Sequence, residues 1–155
     1  MVGSADADGE LAGVAEQVGA CLAARGAVVV CGGLGGVMEA ACRGARNGGA
    51  TTIAILPGGD RREASPSVEI AIATGLGEAR NALVARAADA MIAVGGEYGT
   101  LSEIALALKY GTPVVGIATW ELSQGGRAAG EIVCVASAGD AVDRALALVE
   151  GSARR

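Results

Sequence analysis

Two glycine-rich segments of the same design constrain the fold of this chain more than any other feature. One is Cys31-Gly-Gly-Leu-Gly-Gly-Val-Met-Glu39 and the other is Gly95-Gly-Glu-Tyr-Gly-Thr-Leu-Ser-Glu103; each follows a short apolar run and precedes a helical pattern. A strand that ends in glycines and turns straight into a helix leaves backbone N–H groups unpaired. The helix dipole adds partial positive charge there, so such a turn suits a phosphate or a carboxylate. The segments therefore predict an anionic ligand held between paired loops.

Short apolar runs alternate with helical patterns along the whole chain. This alternation predicts helices at 11–25, 36–47, 78–88, 101–110 and 138–149 and strands at 27–31, 52–56, 68–73, 90–94, 114–118 and 132–135. The expected fold is a Rossmann-like three-layer α/β/α arrangement with a mostly parallel sheet, a single domain over residues 1–155. The glycine turns should lie at the carboxyl ends of strands near a topological switch point. Only Met1-Val2 precede Gly3-Ser4, so the first strand is either a stub or begins upstream of this chain.

Composition and charge exclude several classes of function. Hydrophobic residues make up 52% of the chain and charged residues 19%, which argues against a disordered protein. The net charge is −5 and the 12 Lys and Arg residues are scattered, so we expect no nucleic-acid partner. No apolar run is long enough for a membrane span and no leader pattern is present, which predicts a cytoplasmic protein without a membrane partner. With no histidine and no C-x-x-C pair we expect no metal site, so catalysis would use carboxylates, arginine, hydroxyls and backbone groups.

The first glycine segment fits neither of the common nucleotide fingerprints. Gly33-x-Gly35 is present, but Met38 stands where the third glycine of G-x-G-x-x-G would fall, and no P-loop pattern exists. A tight turn that only glycine can make and an anion site are equally good interpretations of this segment.

The second glycine segment gives a more specific prediction. Thr100 and Glu103 have the spacing of a capping box, with Thr100 at the N-cap, yet the segment holds more glycine than a cap needs. We therefore favour an anion site there, and both interpretations can hold. Arg80 opens the preceding helix and would oppose its dipole, so we expect it to pair with a ligand phosphate or with Glu103.

Three segments, in order and spacing, resemble the LONELY GUY-type family, long mislabelled "lysine decarboxylase-like". They are Gly-Gly-Leu-Gly-Gly-Val-Met-Glu-Ala-Ala from Gly32, Ala79-Arg-Asn81, and the segment from Gly95 to Glu103. The resemblance, from about Gly3 to Ile117, implies a Rossmann-like fold and dimers or tetramers. In the phosphoribohydrolase members a P-G-G-x-G-T-x-x-E motif binds a nucleoside 5′-monophosphate. An arginine and the last glutamate cleave the N-glycosidic bond, with no lysine decarboxylation; these roles would fall on Arg80 and Glu103.

The chain departs from those hydrolases in ways that favour another branch. Val94 replaces the proline of the motif, the histidine before the arginine is absent, and the chain is shorter. In these respects it is similar to the short branch that includes the molybdenum cofactor carrier proteins, which bind a pterin phosphate without turning it over. Both ligands present a phosphate, so the loops suit either.

The sequence thus predicts a binding protein for a phosphorylated nucleotide- or pterin-type molecule, a nucleoside monophosphate or molybdenum cofactor. No cofactor is required, and a homo-oligomer is expected. One alternative is a phosphoribohydrolase; another is a non-catalytic structural or interaction module whose glycines only form turns. The predicted phosphate- and ligand-binding residues are Gly3, Ser4, Gly32, Gly33, Gly35, Gly36, Arg80, Asn81, Gly95, Gly96, Tyr98, Gly99, Thr100 and Glu103.

Overall fold

A computed structural model describes residues 1–7, 9–129 and 132–153. Its helices are α1 (Gly9–Ala24), α2 (Val37–Asn47), α3 (Asn81–Arg86), α4 (Tyr98–Tyr110) and α5 (Ala138–Ala153). Its strands are β1 (Val2–Gly3), β2 (Val29–Cys31), β3 (Thr52–Leu56), β4 (Ile70–Ala73), β5 (Met91–Val94), β6 (Val114–Ile117), β7 (Ser123–Gln124), β8 (Arg127–Ala128) and β9 (Ile132–Cys134). Short 3₁₀ turns cover Arg61–Glu63 and Gly77–Arg80.

The strands form a parallel arrangement with helices on both faces. One sheet has the order β1-β5-β6-β9 and the other β2-β3-β4, with every pairing in both parallel. The amino group of Met1 donates to the carbonyl oxygen of Val30 at 2.7 Å, which joins β1 to β2 across the gap between the sheets. The three-layer α/β prediction with a mostly parallel sheet is confirmed.

Burial explains why the strands read as continuous apolar runs. Every residue of β5 and β6 is buried, because helices cover both faces of the sheet. One core packs α1, α2 and α5 against one face, where Val18, Val37 and Val142 are buried. The second core packs α3 and α4 against the other, with Val84 and Ile104 at its centre.

Two glycines inside helices allow α1 and α2 to approach closely. A Cβ atom built on Gly19 would collide with the carbonyl of Ala41, and one on Gly44 with the carbonyl of Glu16. The two glycines thus face the partner helix reciprocally. This contact fixes α2, and with it the first glycine segment, against the sheet.

The chain path places a topological switch point between β1 and β5. These neighbours are parallel, with Gly3 opposite Val94. From β1 the chain passes through α1 to β2, whereas from β5 it passes through α4 to β6, on the other side. The loops at the carboxyl ends of β1 and β5 therefore diverge and leave a crevice between them.

The structure corrects several predicted elements. Helix α4 begins at Tyr98 rather than at residue 101, and the predicted helix 78–88 is a 3₁₀ turn followed by the shorter α3. The stretch 120–130, predicted as irregular, contains the antiparallel pair β7–β8, although Gly130 lies outside the described residues. The domain prediction for 1–155 likewise includes positions 8, 130, 131, 154 and 155, which lie outside the described part. No helix in that part is long and apolar enough to cross a membrane.

Candidate functional site

A cavity of about 370 Å³ opens at the switch point between β1 and β5. Five parts of the chain line it: the end of β1 with the loop after it, the turn into α2, the residue after β3, the 3₁₀ turn that leads into α3, and the start of α4. The lining residues are Gly3, Ser4, Ala5, Leu34, Met38, Pro57, Glu78, Arg80, Asn81, Glu97, Gly99, Thr100 and Glu103. Both glycine segments thus reach one cavity, as their sequences predict.

A larger hollow of about 620 Å³ lies around the amino ends of the strands. Its walls are mainly apolar, with Leu22, Val28 and Ile92 among them, and none of the predicted site residues lines it. The smaller cavity is the better candidate site because it collects the unpartnered polar groups described next.

A buried ion pair forms the floor of the candidate site. The Nη1 atom of Arg80 donates to Oε1 of Glu103 at 2.9 Å, and the two residues are 7% and 5% exposed. A Cβ atom on Gly32 would lie 2.6 Å from Nη2 of Arg80, so only glycine leaves room for the guanidinium there. Of the two partners predicted for Arg80, a ligand phosphate or Glu103, the structure shows Glu103.

The ion pair leaves a buried donor of the arginine without an acceptor. Nε of Arg80 is buried and has no hydrogen-bond partner in the described part of the structure. A buried donor without an acceptor costs about 1–3 kcal/mol. This orphaned group at the cavity floor therefore indicates an acceptor that the protein itself does not supply.

Burial also perturbs the carboxyl group of the pair. The pKa of Glu103 is raised above its usual range because desolvation penalises the carboxylate more than the nearby guanidinium of Arg80 favours it. The carboxyl group therefore keeps its proton to a higher pH than an exposed glutamate would.

The first turn of α4 presents its backbone amides without partners. Among the described residues, no acceptor is found for the N–H groups of Tyr98, Gly99 and Thr100, and Glu97 at the N-cap supplies no side-chain cap. The first amide with an acceptor is that of Leu101, which donates to the carbonyl oxygen of Glu97 at 2.9 Å. Because these amides lie at the positive end of a 13-residue helix, the turn is suited to an anion.

The predicted capping box is therefore wrong. Helix α4 begins at Tyr98, so Thr100 is its third residue and not its N-cap, and Glu103 bonds to Arg80. The reason is the backbone of Gly95 and Gly96, whose φ values of 56° and 109° turn the chain into the helix early. A Cβ atom on Gly96 would also meet the side chain of Thr100 at 2.5 Å.

The first glycine segment is closed more tightly by the protein's own backbone. Gly36 is the N-cap of α2 with φ 62°, and a Cβ atom there would strike the carbonyl oxygens of Ser4 and Ala5. The amide of Val37, the first of α2, donates to the carbonyl oxygen of Ser4 at 2.9 Å. The two helix starts are adjacent as predicted, but they are not equivalent. The first amide of α2 donates to the protein's own backbone, whereas the first amides of α4 have no acceptor among the described residues.

Buried polar side chains complete the cavity wall. Asn81 is 6% exposed and its amide makes no hydrogen bond to any described residue. Thr100 is 4% exposed, while the hydroxyl of Ser4 donates to the carbonyl oxygen of Asp6 at 3.4 Å. The side-chain amide of Asn81 still reaches solvent at the cavity, so it is free to donate a hydrogen bond to a ligand.

Half of the predicted binding residues line the cavity and the other half lie outside its lining. Those at the cavity are Gly3, Ser4, Arg80, Asn81, Gly99, Thr100 and Glu103. Those that shape the turns or lie outside the lining are Gly32, Gly33, Gly35, Gly36, Gly95, Gly96 and Tyr98. Gly33, for example, packs with φ 77° against Ala54 and Leu56 of β3.

Sequence reasoning missed some lining residues. Glu97 lies inside the second glycine segment and Pro57 directly follows a strand, so both could have been found from position alone. Glu78 precedes Arg80 by two residues on the same 3₁₀ turn, which would also have been a usable signal. The others, Ala5, Leu34 and Met38, are small or apolar and carry no chemical signal.

Comparisons with known proteins agree with this architecture. The profile of the SLOG cluster4 family matches residues 1–144. An uncharacterised protein of Archaeoglobus fulgidus is 44% identical over 119 residues, which cover 76% of this chain and 77% of that protein.

Two solved structures are similar over nearly the whole chain. The molybdenum cofactor binding protein of Rippkaea orientalis is 33% identical, with a TM-score of 0.85 and coverage of 96% of this chain and 94% of the other. The molybdenum cofactor carrier protein of Chlamydomonas reinhardtii is 34% identical, with a TM-score of 0.81 and coverage of 97% and 95%.

Proposed function

The chain belongs to the SLOG cluster4 family, and from that premise we propose that it binds a phosphorylated small molecule of the molybdenum cofactor type. In this proposal the protein holds and carries the ligand and does not transform it. The similar structures named for molybdenum cofactor binding support the class of ligand. The shared phosphate of pterin and nucleotide ligands leaves a nucleoside monophosphate as the nearest alternative.

One observation carries the proposal: unpartnered donors from separate elements converge on one cavity. The orphaned Nε of Arg80, the side-chain amide of Asn81 and the first amides of α4 all lack acceptors in the described part. A phosphate would supply several acceptor oxygens and a negative charge at the positive end of the helix dipole. The ligand would thereby complete hydrogen bonds that the protein leaves unmade.

The residues divide into a binding set and a supporting set. The amides of Tyr98, Gly99 and Thr100 would hold phosphate oxygens, with Asn81 donating from the opposite wall. Glu103 would hold the guanidinium of Arg80 in position by the 2.9 Å bond. The remaining predicted glycines, Gly3, Gly32, Gly33, Gly35, Gly36, Gly95 and Gly96, would act by allowing the close turns that shape the cavity.

The direct test is the ligand that copurifies with the full chain. The protein would be isolated from cells that make the molybdenum cofactor, and molybdenum and released pterin would be measured by mass spectrometry. Asn81→Ala should lower the bound amount several-fold, since it removes an amide without breaking a protein hydrogen bond. The matched control is Arg144→Met, an exposed arginine of α5, which should retain the ligand.

A second candidate is hydrolysis of the N-glycosidic bond of a nucleoside 5′-monophosphate. The observation that favours it is the buried pair itself: Arg80 and Glu103 line the cavity, and burial raises the pKa of Glu103. Glu103 would stabilise an oxocarbenium-like centre or activate water, while Arg80 would orient the substrate. Incubation with AMP and with a cytokinin riboside monophosphate, followed by assay of the free base, separates the candidates: release that is lost in Glu103→Gln would establish the hydrolase and exclude a carrier.

We also propose that the chain forms a homo-oligomer, a dimer or a tetramer. Ile70 and Ile72 are 45% and 48% exposed on β4, which ends its sheet in the described structure. Such apolar side chains along a sheet edge are normally covered. Light scattering at micromolar concentration should give at least twice the mass of one chain, and a monomer would contradict this proposal.

A further inference from the structure

The aromatic residues of this chain are few and concentrated. The sequence has one Trp, two Tyr and no Phe. Two of these three, Tyr98 and Trp120, pack together with their ring centroids 5.6 Å apart and an interplanar angle of 40°. Trp120 is half-buried against the second core, whereas Tyr98 is exposed, so the pair extends from the core into solvent.

The pair stands at the edge of the candidate site. Tyr98 lies in the chain between Glu97 and Gly99, both of which line the cavity, and it is the first residue of α4. Its 80% exposure is the highest among the large hydrophobic side chains of the described residues. An aromatic ring left in water beside an anion-binding turn gains nothing for the fold, since its apolar area is not buried.

Hydrogen bonds hold Trp120 and its segment in place beside Tyr98. The indole Nε1 of Trp120 donates to the carbonyl oxygen of Glu97 at 3.2 Å, and the hydroxyl of Thr119 donates to the carbonyl oxygen of Gly95. Ala118, directly before them, has φ 47°, a left-handed conformation that is costly for a residue with a Cβ. The segment after β6 is therefore bonded to the second glycine turn, which holds the indole against Tyr98.

We propose that Tyr98, supported by Trp120, is a stacking platform for a planar heterocycle of the bound ligand. This inference rests on the proposed function: the phosphate would lie at the first turn of α4 and the ring would extend from it over the tyrosine. Aromatic side chains stack on bases and related heterocycles with little dependence on which substituents the heterocycle carries, because every such ring has a π face. The platform thus selects for the presence of a flat ring.

Two carboxylates narrow the chemistry of that ring. Glu78 and Glu97 both line the cavity and neither forms an ion pair with a described residue. Carboxylates accept hydrogen bonds, so they favour a ring edge that carries N–H donors. The ligand class is a phosphorylated, planar heterocycle with N–H groups, as in a 2-amino-4-oxopyrimidine edge.

The test compares two phosphates that differ in the ring. Guanosine 5′-monophosphate carries a flat ring with such an edge, and ribose 5-phosphate carries the same sugar phosphate without it. Calorimetric titration of the full chain should give at least tenfold tighter binding of the nucleotide. Because Trp120 is the single tryptophan, its fluorescence should change with the nucleotide and not with ribose 5-phosphate.

Variants of the exposed tyrosine isolate the ring. Tyr98→Ala should reduce the preference for the nucleotide over ribose 5-phosphate to about twofold or less, whereas Tyr98→Phe should keep it. Both variants should fold, since the side chain is largely in water; circular dichroism checks this directly. An unchanged preference in Tyr98→Ala would overturn the platform.

The outcomes separate this inference from the proposed function. If neither phosphate binds the wild type, the anion site itself is wrong and the platform falls with it. If both bind equally, the anion site stands and the platform is wrong. If Tyr98→Ala instead lowers the oligomer mass in light scattering with the ring preference unaltered, the pair is a contact between copies of the chain, which also overturns the platform.

Discussion

Arg80 donates from Nη1 to Oε1 of Glu103 at 2.9 Å, in a pair whose side chains are both more than nine-tenths buried. The pair joins the 3₁₀ turn before α3 to the first turns of α4. Each buried charge is stabilised by the other, because either one left alone would be buried without a compensating charge. The same pair lies at the floor of the cavity, so it couples the stability of the fold to the state of the site.

Replacing one residue of this pair should destabilise the fold far more than replacing both. Arg80→Met or Glu103→Leu alone should lower the free energy of unfolding by about 3–5 kcal/mol, since each leaves one buried charge. The double variant should be much less destabilised than the sum of the two. Urea unfolding of all four proteins measures the coupling; additive losses would show that the pair does not act as a unit.

The raised pKa of Glu103 predicts a definite pH dependence of stability. A carboxyl whose pKa is higher in the folded state than in the unfolded state binds more protons when folded, so its contribution is complete below its ordinary value of 4.5. That contribution is lost as the pH rises through the raised pKa. As the pH increases from 4.5, the free energy of unfolding of the wild type should therefore fall relative to that of Glu103→Gln. An opposite slope would mean that Arg80 outweighs desolvation.

Two glycines of the same helix should respond to alanine in opposite directions. Gly13 is exposed within α1 and has open space where a Cβ would go, so Gly13→Ala should stabilise the fold by about 0.5–1 kcal/mol. Gly19 faces the carbonyl of Ala41 in α2, so Gly19→Ala should destabilise it by about 1–3 kcal/mol. Thermal unfolding compares them directly, and equal effects would contradict the close helix contact.

Binding of phosphate should stabilise the folded chain in a concentration-dependent way. A ligand that binds only the native state adds about 2.7 kcal/mol at one hundred times its dissociation constant. Thermal unfolding in ribose 5-phosphate, against chloride at matched ionic strength, should show a rising midpoint in the wild type. The rise should be smaller in Asn81→Ala and unchanged in Arg144→Met; an equal rise in all three proteins would point to a general salt effect.

The sequence predicted the architecture well because its signals are local. Apolar runs such as Thr52–Leu56 and the glycines that end them are visible without any tertiary information. A partner for Arg80 was also predictable, since an arginine opposing a helix dipole needs one, but the sequence left Glu103 and a ligand phosphate as alternatives.

Other features depend on contacts that no local pattern contains. The start of α4 was misplaced because Thr100 and Glu103 imitate a capping box, whereas the positive φ values of Gly95 and Gly96 begin the helix at Tyr98. By helix propensity alone Gly19 and Gly44 are poor helix formers, and only the close contact between α1 and α2 explains why glycine is required there. The hydrogen bond from the amide of Val37 to the carbonyl oxygen of Ser4 likewise joins two parts of the chain that are far apart in sequence.

We propose that the first turn of α4 captures the phosphate of a small molecule. The most direct measurement is a ¹H–¹⁵N NMR titration of the full chain with ribose 5-phosphate, following the backbone amides of Tyr98, Gly99 and Thr100. We expect saturable shifts concentrated at these amides and at Asn81, with little change at Gly13. Saturation elsewhere on the chain, or no shift at the α4 amides, would contradict it.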